Sequence, residues 1–174
     1  TTARIYLAGI DHYHEIDIRV SSPDVADRAV ADIERTLREL HDITDPEKDD
    51  FFVTTSEAVI DQIGTIETHD CFSIAGILAV EGLGLAKKGE GADWVDAGNT
   101  TRDGYMPMNT TGGLIGWGHP TGATGVHQAV TIWQQLTGKA GKAQINISDD
   151  RPYRMTNNMG GDDVTGVAMV YKRG

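Results

Sequence analysis

Hydrophobic positions change rhythm several times along this chain, and each change predicts an element. Residues 3–10 form a short apolar run, read as a strand. Residues 11–20 alternate only in part, which fits a second strand or an extended segment. Val25, Ala29, Ile33, Leu37 and Leu40 then recur at helical spacing. Ahead of them, Ser22-Pro23-Asp24 supplies a capping Ser, a Pro at the first helical position and an acidic first turn, so 23–41 is read as a helix. Residues 42–50 are acidic, contain Pro46 and predict a surface loop. Residues 51–54 predict a strand, 56–62 a short helix, and 65–68 a strand leading into His69-Asp-Cys-Phe72. An apolar helix starts at Ser73 and covers 74 to about 83, ended by Gly82 and Gly84. Residues 87–104, Gly-rich and charged, read as a loop. Val126, Ala129, Val130, Trp133 and Leu136 share one face of a helix over 123–137. After a break at 138–141, strands are expected at 142–147 and 164–172, with 157–161 turning between them.

Strands alternating with helices predict an α/β layer with a mostly parallel or mixed sheet. Catalytic loops in such sheets sit at the carboxyl ends of strands. The chain has 174 residues, 39% of them hydrophobic, which suits one domain or half of a larger enzyme. Its formal net charge of −11 argues against nucleic acid or an anionic membrane surface as a partner. The same charge suits a polyanionic cofactor only if local basic residues or another chain supply positive charge. No signal peptide is recognised, and no apolar run approaches the roughly 20 residues of a membrane span. The single cysteine, Cys71, excludes an internal disulfide and points to a reducing, cytoplasmic setting.

Candidate chemistry gathers in residues 109–125, Asn-Thr-Thr-Gly-Gly-Leu-Ile-Gly-Trp-Gly-His-Pro-Thr-Gly-Ala-Thr-Gly. Glycines there let backbone approach backbone or ligand. His119 is pinned by Pro120, which pushes it out of the α region, just ahead of a helix N-terminus. That position suits proton transfer beside an anion or a developing oxyanion. His69 lies at a comparable strand-to-helix junction; of the two imidazoles, one would act as base and the other as donor to an oxyanion, unless both are merely surface residues. Cys71, near a helix N-terminus, is either a thiol with a lowered pKa or a small buried hydrophobe. Gly160 and Gly161 either present N–H groups to an oxyanion or form a tight turn. His12 and His14 have metal-pair spacing, but no third ligand stands at suitable spacing, so a polar strand face is expected and no metal. His41 and His127 sit on predicted helices and carry no assigned role.

These motifs resemble the thiolase superfamily. Gly118-His-Pro-Thr-Gly-Ala-Thr-Gly125, preceded by Asn109-Thr-Thr-Gly-Gly113, resembles the Gly-His-Pro signature of thiolases. His69-Asp-Cys-Phe72 is similar to the form in the sterol-carrier-protein-type and archaeal acetyl-CoA acetyltransferase branch, where other thiolases carry Asn-Glu-Ala-Phe. Glu81-Gly-Leu-Gly-Leu85, Lys88-Gly-Glu-Gly91 and the stretch from Trp133 to Lys142 resemble that branch too. The likeness covers about 65–174, while 1–60 matches weakly; the whole chain, 1–174, is taken as one C-terminal-type domain. The resemblance implies a layered α-β-α fold with a mixed five-stranded sheet.

It also implies roles. His119 would take the proton of the nucleophilic cysteine, and His69 would stand at the family's Asn and polarise the thioester oxygen. Cys71 would shuttle a proton to or from the substrate α-carbon, and the N–H of Gly160 would complete a second oxyanion hole. Many thiolases carry a cysteine two residues before that glycine; here the position is Asn158. Asn109, Gly112, Gly113, Gly118 and Phe72 would line the substrate. No covalently bound cofactor is implied, and coenzyme A thioester is the substrate. The acyl-accepting cysteine belongs to the other half of a thiolase, so the resemblance implies a separate N-terminal half as partner, a dimer of such pairs and, in this branch, a small acyl-CoA-binding accessory protein. The expected function is thiolysis of 3-ketoacyl-CoA or formation of acetoacetyl-CoA, inactive without that half. The alternatives are a non-catalytic structural half, or a thiolase-fold aldolase acting on a hydroxyacyl-CoA.

Overall fold

A computed structural model of the chain describes residues 18, 20, 25–146, 148–160 and 165–173. The expected strand 3–10, the capping segment Ser22-Pro23-Asp24, and His12 and His14 lie outside these residues. The chain divides into two compact units, 1–55 and 56–174.

In the first unit, α1 spans Ala26–Leu40. Its last turn is tied by Arg38, whose Nε and Nη2 donate to the Asp49 carboxylate at 2.9 and 2.7 Å. The guanidinium holds Asp49 below the usual carboxylate range. Asp42 then takes a positive φ of 54° and ends the helix. The loop 42–50 carries a short 3₁₀ turn at Pro46–Lys48. Residues 51–54 do not form the expected strand. Their backbone finds no strand partner among the described residues, and Phe52 is 85% exposed.

The second unit begins with α2 (Ser56–Asp61) and continues with β1 (Ile63–Thr68), α3 (Ser73–Gly82), α4 (Gly91–Asp96), α5 (Gly113–Trp117), α6 (Thr124–Thr137), β2 (Tyr153–Gly160) and β3 (Thr165–Lys172). The sheet order is β1-β2-β3, with β1 and β2 parallel and β2 and β3 antiparallel. The sheet is mixed as expected, but among the described residues it has three strands rather than five. Met108 bridges to Ile66 on the other side of β1, where the Ile66 N–H donates to Pro107 O and the Asn109 N–H donates to Ile66 O, both at 3.0 Å.

The two faces of the sheet differ in chemistry. Ile66 and Met155, register partners, join Ile63 and Met106 in the core, against which Leu83, Leu85 and Trp94 pack. Thr65, Glu67, Arg154 and Thr156 alternate onto the opposite face and are all buried. Asn158, in the same alternation, reaches Gln128 Oε1 of α6 at 3.0 Å, so α6 covers that face. Helices therefore flank the sheet on both sides.

Three further expectations need correction, and α6 turns its polar face inward. The loop 87–104 contains α4, whose Gly91 N–H is taken by Glu81 Oε1 at 3.0 Å; a Cβ at Gly91 would stand 2.8 Å from the Glu81 side chain. Residues 142–146 are not a strand. Side chains take the backbone groups that a ladder would need: Gln135 accepts from the Ile145 N–H at 2.9 Å and donates to Ala143 O at 2.7 Å, while Arg102 donates to the carbonyls of Lys142 and Gln144. Asn157 to Gly160 are not a turn but the end of β2, with Asn157 paired to Thr68 on one side and Ala168 on the other. Finally, α6 buries Thr124, Gln128, Thr131, Ile132, Gln135 and Leu136, while Val126, Val130 and Trp133 are exposed by 66%, 46% and 51%. Of the face that carries the apolar spacing, only Leu136 is buried.

Candidate functional site

The site forms where β1 ends. Asn109 takes a positive φ of 48°, which turns its side-chain amide onto the strand terminus. Asn109 Oδ1 accepts from the Thr68 N–H at 2.7 Å, and Nδ2 donates to Thr68 O at 3.1 Å, so the amide replaces one more strand pairing. On the other side, the His69 N–H donates to Asn157 O at 2.8 Å. His69 is thus held on both flanks and is buried.

The next residue fastens the glycine-rich loop. Asp70 Oδ1 accepts from the Leu114 N–H at 2.9 Å, in the first turn of α5. Gly113 has φ 58°, and a Cβ there would stand 2.3 Å from Asp70 Oδ2 and 2.8 Å from Asn109 Nδ2. Only glycine lets these side chains close over the loop. Gly112 and Gly118 also have positive φ, 102° and 92°, and bracket α5 as its two caps. Trp117, at the end of α5, lies against His127 of α6 with ring centroids 3.6 Å apart. The loop is so anchored before and after its histidine.

His119 emerges from this loop exposed, its ring perpendicular to that of His69 with centroids 4.7 Å apart. Two imidazoles 50 residues apart in sequence share one place. His119 Nδ1 is 2.7 Å from Thr124 Oγ1. Cys71 is a free, half-buried thiol on the β1–α3 junction that carries His69. Phe72, exposed and extended, is the N-cap residue of α3. Gly160 ends β2, three residues beyond Asn157, on the end of the sheet that carries His69. Asn158 ties β2 to α6 through Gln128, and a Cβ at Gly125 would come within 2.8 Å of its amide.

Three residues at or beside the site were not singled out from the sequence. Asp70 stands inside a quoted motif, but its bond to Leu114 spans 44 positions. Thr124 follows His119 by five residues, a spacing that puts its hydroxyl under the ring only once the helix start is placed. Glu67 is 1% exposed, and no side chain among the described residues donates to its carboxyl. Burial pushes its pKa up to about 8; the nearby Asp70 charge adds to this and the Thr110 backbone opposes it. Arg154 shares its face of the sheet, wholly buried, and donates from Nη1 to Arg151 O and Tyr153 O. Among the described residues no three His, Cys, Asp or Glu side chains converge as metal ligands. No helix of the described residues is long and apolar enough to cross a membrane.

Comparisons place this geometry among known proteins. A model of the family described as thiolase C-terminal domain-like matches residues 53–173. Over 111 residues the chain is 47% identical to an acetyl-CoA acetyltransferase of Methanothermobacter thermautotrophicus, covering 64% of this chain and 28% of that protein. Over 83 residues it is 49% identical to human sterol carrier protein 2, covering 48% of this chain and 15% of that protein. In fold it is similar to a solved Ltp2-ChsH2(DUF35) aldolase, with TM-score 0.51 and 17% identity over 75% of this chain and 35% of the other.

Proposed function

This chain belongs to the thiolase C-terminal domain-like family, and we propose that it is the C-terminal half of an acyltransferase acting on coenzyme A thioesters. In this reading the nucleophilic cysteine arrives on a separate N-terminal half. His119 takes the proton of that cysteine as its sulfur attacks the thioester carbonyl. His69 donates a hydrogen bond to the carbonyl oxygen as negative charge develops there, and the Gly160 N–H serves a second oxyanion. Cys71 moves a proton to or from the substrate α-carbon, which makes or consumes the carbanion equivalent of carbon–carbon bond exchange. Asn109, Gly112, Gly113, Gly118 and Phe72 form the wall along which the thioester lies. The chemistry needs no metal and no covalently bound cofactor.

The observation that carries the reading is the perpendicular His69–His119 pair at 4.7 Å. A purely structural half has no use for an exposed imidazole held among glycines against a buried one. The partner is supported by the exposed apolar face of α6, Val126, Val130 and Trp133. The chain spans 28% of the acetyltransferase's length, which leaves room for another half. Pairs would assemble further into a dimer, and a small acyl-CoA-binding protein is a candidate accessory.

The test combines this chain with the N-terminal half and follows thiolysis of acetoacetyl-CoA. Loss of turnover in Cys71→Ala and His119→Ala, with assembly intact, is the expected result; full turnover in both leaves only a structural role. The fold likeness to an aldolase motivates a second assay with a hydroxyacyl-CoA. Retro-aldol cleavage that survives Cys71→Ala would replace the thiolase reading.

A further inference from the structure

We propose that Thr124 is a positioning residue that keeps the proton of neutral His119 on Nδ1 and leaves Nε2 as the proton acceptor. Its consequence for turnover rests on the acyl-transfer reading; the position of the proton itself does not.

Thr124 is the first residue of α6 and is buried. Its Oγ1 lies 2.7 Å from His119 Nδ1 and 3.4 Å from the Pro120 carbonyl, four residues back. The backbone N–H groups of Ala123 and Thr124 donate to that same carbonyl at 2.9 and 3.2 Å, so the hydroxyl shares it as a third, longer donor. A hydroxyl offers one proton and two lone pairs, and a neutral imidazole has one donor and one acceptor nitrogen. The bond from a helical Thr hydroxyl to the carbonyl four residues back is a familiar use of its proton. With the proton there, a lone pair faces Nδ1, and only a protonated Nδ1 makes the 2.7 Å contact attractive.

The arrangement also fits the step that follows. When a thiol S–H bond breaks and an Nε2–H bond forms, the ring becomes a cation with two donors. Its Nδ1–H already points at Thr124 Oγ1, and the hydroxyl already points at Pro120 O. Nothing rotates when the charge appears, so the dipole is in place beforehand. The opposite tautomer, with the hydroxyl donating to Nδ1, leaves Nε2 already protonated and unable to take the thiol proton.

The experiment is long-range proton–nitrogen NMR on the chain with ¹⁵N-labelled histidine, with His119 assigned by its disappearance in His119→Gln. The expected result is a pyrrole-type Nδ1 and a pyridine-type Nε2 in the native chain and in Thr124→Ser. Thr124→Val, close in shape but without the hydroxyl, is expected to lose that preference. A pyridine-type Nδ1 in the native chain overturns the proposal, as does a native tautomer retained in Thr124→Val. Should the Val variant not fold, the native spectrum still decides. In the enzyme reassembled with its N-terminal half, Thr124→Val is expected to lower kcat about 10- to 100-fold at similar KM, with Thr124→Ser restoring most of it. The spectrum tests Thr124 whether or not the chain transfers acyl groups, and the Cys71 and His119 variants test acyl transfer whatever the tautomer.

Discussion

The ring of His119 stands edge-on to that of His69, with centroids 4.7 Å apart. One ring is buried on the end of a strand, and the other is exposed on a loop anchored to that strand end. This difference in burial separates their tasks in the proposed reaction, since the exposed ring meets a sulfur from another chain. Replacing His69 by Ala is expected to lower kcat about 10²- to 10³-fold in the reassembled enzyme, the scale for losing one oxyanion donor. Steady-state kinetics checks it; an unchanged kcat removes His69 from the mechanism.

Gly113→Ala is expected to disable the site without touching either imidazole. The new Cβ would meet Asp70 Oδ2 at 2.3 Å, on a backbone of φ 58°. The Asp70–Leu114 bond must then open, at a cost of about 1–3 kcal/mol. Urea unfolding reads the loss. Gly118→Ala is the control: its φ is also positive, but its Cβ would meet open space, so it carries only the backbone strain.

Asn109 has two duties that variants can part. Asn109→Gly keeps the positive φ but removes both hydrogen bonds to Thr68, whereas Asn109→Ala loses the bonds and strains the backbone. Both are expected to destabilise by about 1–3 kcal/mol, the Ala variant more. Equal unfolding midpoints for Asn109→Gly and the native chain would mean the amide bonds contribute nothing.

Stability is expected to fall as pH rises from near 4.5 to about 8. Glu67 has its pKa raised to about 8 in the fold by burial first and Asp70 second. Its neutral form is favoured in the native state, so its contribution is full below the unfolded pKa. It is lost progressively over the window in which the unfolded chain has released the proton and the native chain still holds it. The loss is on the order of 5 kcal/mol across that window. Glu67→Gln is expected to flatten this part of the pH–stability curve; an unaltered curve assigns the slope to other groups.

The exposed face of α6 is expected to matter chiefly in assembly. Trp133→Asp gives up the Lys139 ammonium over the ring at 4.7 Å and puts a carboxylate near the helix C-terminus, so the isolated chain should lose only about 1 kcal/mol and stay folded. The substitution should abolish co-purification with the N-terminal half. Assembly that withstands the charge would place the partner on another face.

Much of the site is legible in the chain itself. Helix α3 after His69-Asp-Cys-Phe72, the span of α6 and its glycine end are local matters of propensity, spacing and capping, settled within a few residues. The His119 loop announces itself by composition. Tertiary structure decided what depends on distant partners. Residues 142–146 have the pattern of a strand, but side chains of Gln135 and Arg102 take their backbone groups. Residues 157–160 have the pattern of a turn, but neighbours on both sides draw them into β2. The face of α6 that turns inward is chosen by polar partners distant in sequence, Asn158 on Gln128 and Thr110, Ala143 and Ile145 on Gln135, which leaves the valines out. Periodicity marks which residues share a face; only the surface a face meets decides whether that face is the buried one.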